Sequence, residues 1–173
     1  MSSLKHFKPI TTFVFDIDGV LTDGTIYVFD DGEQARRMNI KDGYALQLAV
    51  KKGYTVIAIS GAHSEAARTR LNRLGVEHVF LQVEDKKKRI SEFLKERQLH
   101  WDEVLFMGDD IPDLELIKQA GLSCAPADAA ASVRQVAKYI SSYRGGEGCV
   151  RDVIEKVMKL RGDWELDIKI PSK

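Results

Sequence analysis

Short apolar runs rich in β-branched and aromatic residues recur along this chain, each followed by a stretch of helical period. The segments 11–15, 54–59, 78–81, 104–107 and 122–125 have the length and composition of buried strands. Between and after them, 43–52, 64–74, 85–97, 112–120 and 129–137 read as helices, with Ala67, Leu71 and Leu74 on one face of the second. Beyond the loop 144–148, a last helix carries Val150, Val153, Ile154, Val157 and Met158 as one apolar stripe. Strands alternating with helices of this size predict an α/β fold, a doubly wound, Rossmann-like sheet that is mainly parallel. The exception follows the first strand. There, 25–29, the turn Asp30-Asp31-Gly32 and 33–40 predict a β-hairpin, a flap spanning 25–39.

A length of 173 residues suits a single domain that buries roughly two-thirds of its unfolded surface. The core is expected over about 10–160, with a loose tail at 165–173. Lys and Arg total 26 and Asp and Glu total 26, so the balanced charge argues against a nucleic-acid or anionic-membrane partner. No apolar run reaches the roughly 20 residues of a bilayer span, and no signal-peptide core stands at the N-terminus, which predicts a cytoplasmic protein. Cys124 and Cys149 suggest neither a disulfide framework nor a zinc site.

In open parallel sheets, ligands bind beyond the carboxyl ends of the strands. The first strand runs into Asp16-Ile17-Asp18-Gly19, the second into Ser60-Gly61, and the fourth into Gly108-Asp109-Asp110 with Asp113 close behind. Lys86 opens the helix after the third. Asp16 and Asp18 share a face if the strand stays extended, and Asp109 on a neighbouring strand end would complete an all-oxygen cage suited to Mg²⁺. A lysine and a hydroxyl near helix starts suit phosphate oxygens, and a carboxylate nucleophile then points to phosphoryl transfer through an aspartyl-phosphate. Taken singly, each residue has a plainer explanation. Strand-end aspartates form turns and caps, and Lys86 begins the charged run Lys86-Lys87-Lys88-Arg89. Matched chemistry at four strand ends in order is what the plain explanations do not account for. His6, His63, His78 and His100 lack metal-ligand spacing, and neither Gly-x-Gly-x-x-Gly nor a Walker-type loop is present.

These residues resemble the haloacid dehalogenase superfamily over roughly 13–160: Asp16-Ile17-Asp18-Gly19-Val20-Leu21-Thr22 its first motif, Ser60 its second, Lys86 its third, and Gly108-Asp109-Asp110 with Asp113 its fourth. The hairpin, Asn39-Ile40-Lys41-Asp42-Gly43-Tyr44 and Arg144-Gly145-Gly146-Glu147-Gly148 resemble its branch of sugar-acid phosphatases acting on eight-carbon 2-keto-3-deoxy sugar acid 8-phosphates in lipopolysaccharide synthesis. The resemblance implies Asp16 as nucleophile, Asp18 as acid and base, and Ser60 and Lys86 on the phosphoryl oxygens. It also implies Mg²⁺ held by Asp16, the Asp18 main-chain carbonyl and Asp109, with Asp110 and Asp113 supporting. Ionised Asp16 and protonated Asp18 would then need different pKa values. The small-molecule phosphosugar would be met by Asp18, Asn39, Ile40, Lys41, Asp42, Gly43, Gln47, Ala62, Arg70 and Lys86. Gln47 and Ala62 stand where the branch tends to have arginine, and relatives acting on nine-carbon nonulosonate 9-phosphates tend to have Glu at the position of Ala62. Members of this branch have no cap domain and are homotetramers in which the hairpin and a neighbour's C-terminal region close the site. Two other classes compete, a non-catalytic phosphatase-like assembly module and a phospho-accepting receiver domain. A binding module needs no nucleophile, and the hairpin and the Asp16-x-Asp18 pair fit a receiver poorly.

Overall fold

The computed structural model describes residues 4–173. Its first strand, β1 (Thr12–Asp16), is buried along its whole length and lies inside a parallel sheet. The hairpin strands β2 (Thr22–Val28) and β3 (Gln34–Met38) follow, then α1 (Ile40–Lys51), β4 (Thr55–Ile59), α2 (Glu65–Arg73), β5 (His78–Phe80) and α3 (Lys86–Arg97). The second half is β6 (Val104–Met107), α4 (Leu114–Gln119), β7 (Leu122–Ala125), α5 (Ala131–Val136), β8 (Tyr139–Ile140) and α6 (Cys149–Arg161).

The sheet has six strands in the order β5-β4-β1-β6-β7-β8, every pairing parallel. From β1 the chain builds outward through β4 and β5, then returns to the other side of β1 for β6, β7 and β8. The strand order reverses at β1, so a crevice is expected beyond the carboxyl ends of β1 and β6. Alternation within the strands assigns the helices to the two layers. Phe13, Phe15, Ala58, Leu105 and Met107 face α1, α2 and α6, while Val14, Ile57, Ile59, Val104 and Phe106 face α3, α4 and α5.

The hairpin forms a separate two-stranded antiparallel sheet, and only it and α1 stand between β1 and β4, so no cap domain is evident. Its side chains Ile26, Tyr27, Val28 and Phe29 are exposed. One expected boundary needs correction. The first helix starts at Ile40 rather than Gly43, because the Asn39 side chain accepts from the N–H groups of Lys41 and Asp42 and caps it there. Gly43 lies inside the helix, where a Cβ would come within 3.1 Å of Arg70 Nη2 and 3.3 Å of Leu74. Close packing of α2 on α1 outweighs the usual helix penalty of glycine. The two-residue β8, which pairs with Cys124 and Ala125, is too short to leave a periodic signal. The segment 165–173 lies along α1: the Asp167 N–H donates to Tyr44 Oη, Gln47 Nε2 donates to the Pro171 carbonyl, and Ile170 packs on the core.

Candidate active site

Asp16 is the last residue of β1, and its side chain stays buried where the strand meets the crevice. The chain then turns through a wide, π-like loop, Ile17–Leu21, with Asp18 at φ −74°, ψ 120° and Gly19 at φ +88°. This corrects the shared-face expectation: Asp18 has left the strand, and its carboxylate points to the flap, where Oδ1 accepts from Arg36 Nε at 2.7 Å. Asp109 takes its place beside Asp16. Oxygens of Asp16, Asp109 and Asp113 lie within 4.8 Å of one another.

Asp113 organises that trio. Its Oδ2 accepts from the Asp109 N–H at 3.0 Å and the Asp110 N–H at 3.4 Å, and its Oδ1 accepts from Lys86 Nζ at 2.7 Å. Lys86 is delivered by the first turn of α3, which the Asp85 side chain caps through the Lys88 N–H. The same ammonium donates to Asp16 Oδ1 at 2.8 Å. Asp110 caps the next turn by accepting from the Ile111 N–H. Ser60 follows β4, is buried, and accepts from the Ala62 N–H at 3.0 Å through Oγ, so its hydroxyl hydrogen is available to a ligand.

The electrostatics follow from this crowding. Burial, then the repulsion of Asp113, push the Asp16 carboxyl well above its ordinary range, and Lys86 only partly offsets them. Burial and the same neighbour push Asp109 up to about 6. Burial pulls the Lys86 ammonium down, but Asp16 and Asp113 together outweigh it and leave the ammonium firmly protonated. Three carboxylates against one lysine leave uncompensated negative charge, which is what an oxygen-ligated divalent cation relieves. Both oxygens of Asp113 are already engaged, whereas no backbone N–H, ammonium or guanidinium among the described residues donates to Asp16 Oδ2 or to the Asp109 carboxylate. The donor set therefore fits a cation held mainly by Asp16 and Asp109, with Asp113 in support.

Two close approaches lock this arrangement. A Cβ on Gly19 would lie 2.0 Å from Asp109 Oδ2, and one on Gly145 would lie 2.0 Å from the Gly19 carbonyl oxygen. The loop 144–148 is thus pressed onto the turn that carries Asp18, and the Gly146 N–H donates to the Val20 carbonyl at 2.9 Å.

The residues expected to meet the sugar are less uniformly placed. Asp42 is 2% exposed, and its carboxylate faces α6, accepting from the Arg151 N–H at 2.8 Å. Burial pushes it up to about 6, against the pull of backbone bonds from Arg151 and Gly148. Gly43 is covered by Arg70 and Leu74. Gln47 is occupied by the Pro171 carbonyl. Asn39, Ile40 and Lys41 line a cleft of about 960 Å³ with Arg37, Glu147 and Arg151, a concavity to which Asp16, Asp109 and Lys86 do not contribute. Ala62 is half-buried beside Ser60, and His63 is exposed. Arg70 is half-buried and pairs with no acidic side chain among the described residues. Arg36 was missed by sequence reasoning. It sits in a charged pair on an exposed strand, with no local pattern to mark its 8% exposure.

The chain is similar to known proteins over most of its length. Residues 82–151 match the haloacid dehalogenase-like hydrolase family. The chain is 33% identical over 169 residues to the Yersinia pestis 3-deoxy-D-manno-octulosonate 8-phosphate phosphatase KdsC, covering 95% of this chain and 90% of that one. A probable YrbI family phosphatase from Pseudomonas syringae pv. phaseolica superposes with TM-score 0.91 at 38% identity, over 94% of this chain and 92% of that one. The Moraxella catarrhalis 3-deoxy-D-manno-octulosonate 8-phosphate phosphatase, in complex with magnesium ion, phosphate ion and KDO, gives TM-score 0.90 at 28% identity, over 94% and 93%.

Proposed function

The chain belongs to the haloacid dehalogenase-like hydrolases, as a phosphoric monoester hydrolase of the 3-deoxy-D-manno-octulosonate 8-phosphate phosphatase type, and from that premise we propose its substrate and mechanism. The substrate is 3-deoxy-D-manno-octulosonate 8-phosphate, and the products are the free sugar acid and phosphate. One observation carries the chemistry: Lys86 bridges Asp16 and Asp113 at the sheet's switch point, with Asp109 beside them.

Asp16 attacks phosphorus as the bond to the sugar oxygen breaks, and Asp18 gives that oxygen its proton. Asp18 then takes a proton from water as the water attacks the aspartyl-phosphate, which frees Asp16 and releases phosphate. Lys86 and the Ser60 hydroxyl hold phosphoryl oxygens. Asp16, Asp109 and the Asp18 main-chain carbonyl would hold Mg²⁺, with Asp110 and Asp113 supporting. A cation so placed neutralises charge at the phosphoryl group.

Arg70, a half-buried guanidinium without an acidic partner among the described residues, suits the sugar carboxylate. The exposed apolar hairpin and the separate cleft at Asn39–Lys41 support a homotetramer in which one subunit completes another's site. The nine-carbon alternative draws on Ala62, which offers no guanidinium. Side-by-side kcat/KM values on the eight- and nine-carbon phosphosugars test the assignment. The eight-carbon substrate is expected to win, and a tenfold preference for the longer sugar overturns it.

A further inference from the structure

Arg36 lies on β3, opposite Ile26 across the hairpin, on a strand whose other residues are largely exposed. Its side chain is nevertheless only 8% exposed, because it folds back under the flap to the turn after β1. There its Nε donates to Asp18 Oδ1 at 2.7 Å, while its two terminal nitrogens make no hydrogen bond among the described residues. The adjacent Arg37 does different work: it is 58% exposed and ties the hairpin to Asp23 at 2.8 Å and to Glu147 at 3.3 Å. One arginine moors the flap, and the other reaches the carboxylate.

Asp18 needs such a partner. It sits outside the strand, so the ladder does not orient it, and Arg36 is its only side-chain partner among the described residues. A charge-assisted bond to one oxygen fixes the carboxylate plane and leaves Oδ2 as the oxygen free to carry a proton. We propose that Arg36 is a positioning residue: by holding Oδ1 of Asp18, it aims Oδ2 at the departing sugar oxygen and then at the attacking water, so that seating of the flap is what makes the acid and base competent. The inference rests on the reading of Asp18 as the proton-transfer group. In the first half-reaction the proton leaves Oδ2 for the sugar oxygen as the phosphorus–oxygen bond breaks. In the second it returns to Oδ2 from water. Misplacement by about 1 Å is enough to cost such a step two orders of magnitude.

The test compares the parent with Arg36→Ala, Arg36→Lys, Asp18→Asn and the Asp18→Asn/Arg36→Ala pair, on the sugar phosphate and on 4-nitrophenyl phosphate, whose leaving group needs no proton. Arg36→Ala is expected to lower kcat on the sugar phosphate about 30- to 100-fold with KM within threefold. It should keep a first-turnover burst of 4-nitrophenolate near the parent's rate, followed by slow turnover. Lysine should restore part of the loss, as should added guanidine. The double variant should be no worse than Asp18→Asn, since Arg36 acts through that carboxylate. A raised KM with kcat kept would make Arg36 a substrate ligand, and a burst slowed in proportion would make its role merely structural; each overturns the proposal, as does an additive loss in the double variant. An Asp18→Asn variant of full activity fails the reading of Asp18 instead, whatever Arg36 does.

Discussion

Replacing Gly19 by alanine puts one methyl group at the most crowded point of the site. The new Cβ would lie 2.0 Å from Asp109 Oδ2 and 2.4 Å from its Cγ, where side-chain carbons do not approach closer than about 3 Å, so the carboxylate must retreat by roughly 1 Å. Its main chain is not free to follow. The Asp109 N–H is bonded to Asp113 at 3.0 Å, and its carbonyl accepts from the Ala130 N–H at 2.8 Å. The side chain alone moves, out of the position it holds beside Asp16. A displacement of that size at a catalytic group costs about 100-fold in rate, while the positive φ of +88° adds about 1–2 kcal/mol of backbone strain. Gly53 supplies the control: it has φ +86° with nothing within 4 Å of its would-be Cβ. Gly53→Ala should therefore show the same stability loss with activity intact. Phosphate release and urea unfolding of both variants separate the two effects. A Gly19→Ala enzyme within threefold of the parent's kcat/KM would refute the claim that Asp109 acts from the position seen here.

Asp42→Asn tests the buried carboxylate between α1 and α6. Its folded pKa, pushed up to about 6 from 3.8, means that the folded chain binds more protons than the unfolded one between about pH 4 and 6, so this group lowers stability as pH rises through that window, by about 3 kcal/mol at pH 7.5. In urea unfolding, the difference between parent and Asp42→Asn should therefore move in the variant's favour from pH 4.5 to 7.5, and parallel pH profiles would contradict it. Asp113→Asn removes a charge from the Lys86 bridge and the support of the Asp109 main chain, and is expected to weaken magnesium dependence and kcat by about 10- to 100-fold in a metal titration. Phosphate release should stop in EDTA. Magnesium at a hundred times its Kd should add about 2.7 kcal/mol to stability, a rise in Tm of roughly 5–10 °C by calorimetry; an unchanged Tm would argue against the cation site.

What could be read in the sequence was whatever local pattern encodes. Phe13-Val14-Phe15 running into Asp16 marks a buried strand with a charged end, and the same logic located Ser60, Lys86 and Asp109. Residues whose roles depend on distant partners were illegible. Asp42 belongs by resemblance to the segment that meets the sugar, yet its carboxylate is engaged by α6, 109 residues further along the chain. The period-two rule, continued past Asp16, assigns Asp18 to the strand, whereas the turn begins one residue earlier, under the loop carrying Gly145. Arg36 is one of two adjacent arginines on the more polar strand of the hairpin, and only the folding of β3 over that turn tells them apart.

The central claim is that Asp16 carries the phosphoryl group. Acid quenching during turnover of a ³²P-labelled sugar phosphate, borohydride reduction and peptide mapping test it most directly. Labelled protein is expected before reduction and homoserine at position 16 after it, both absent in Asp16→Asn. Label on Ser60, or turnover without any protein-bound phosphate, would contradict it.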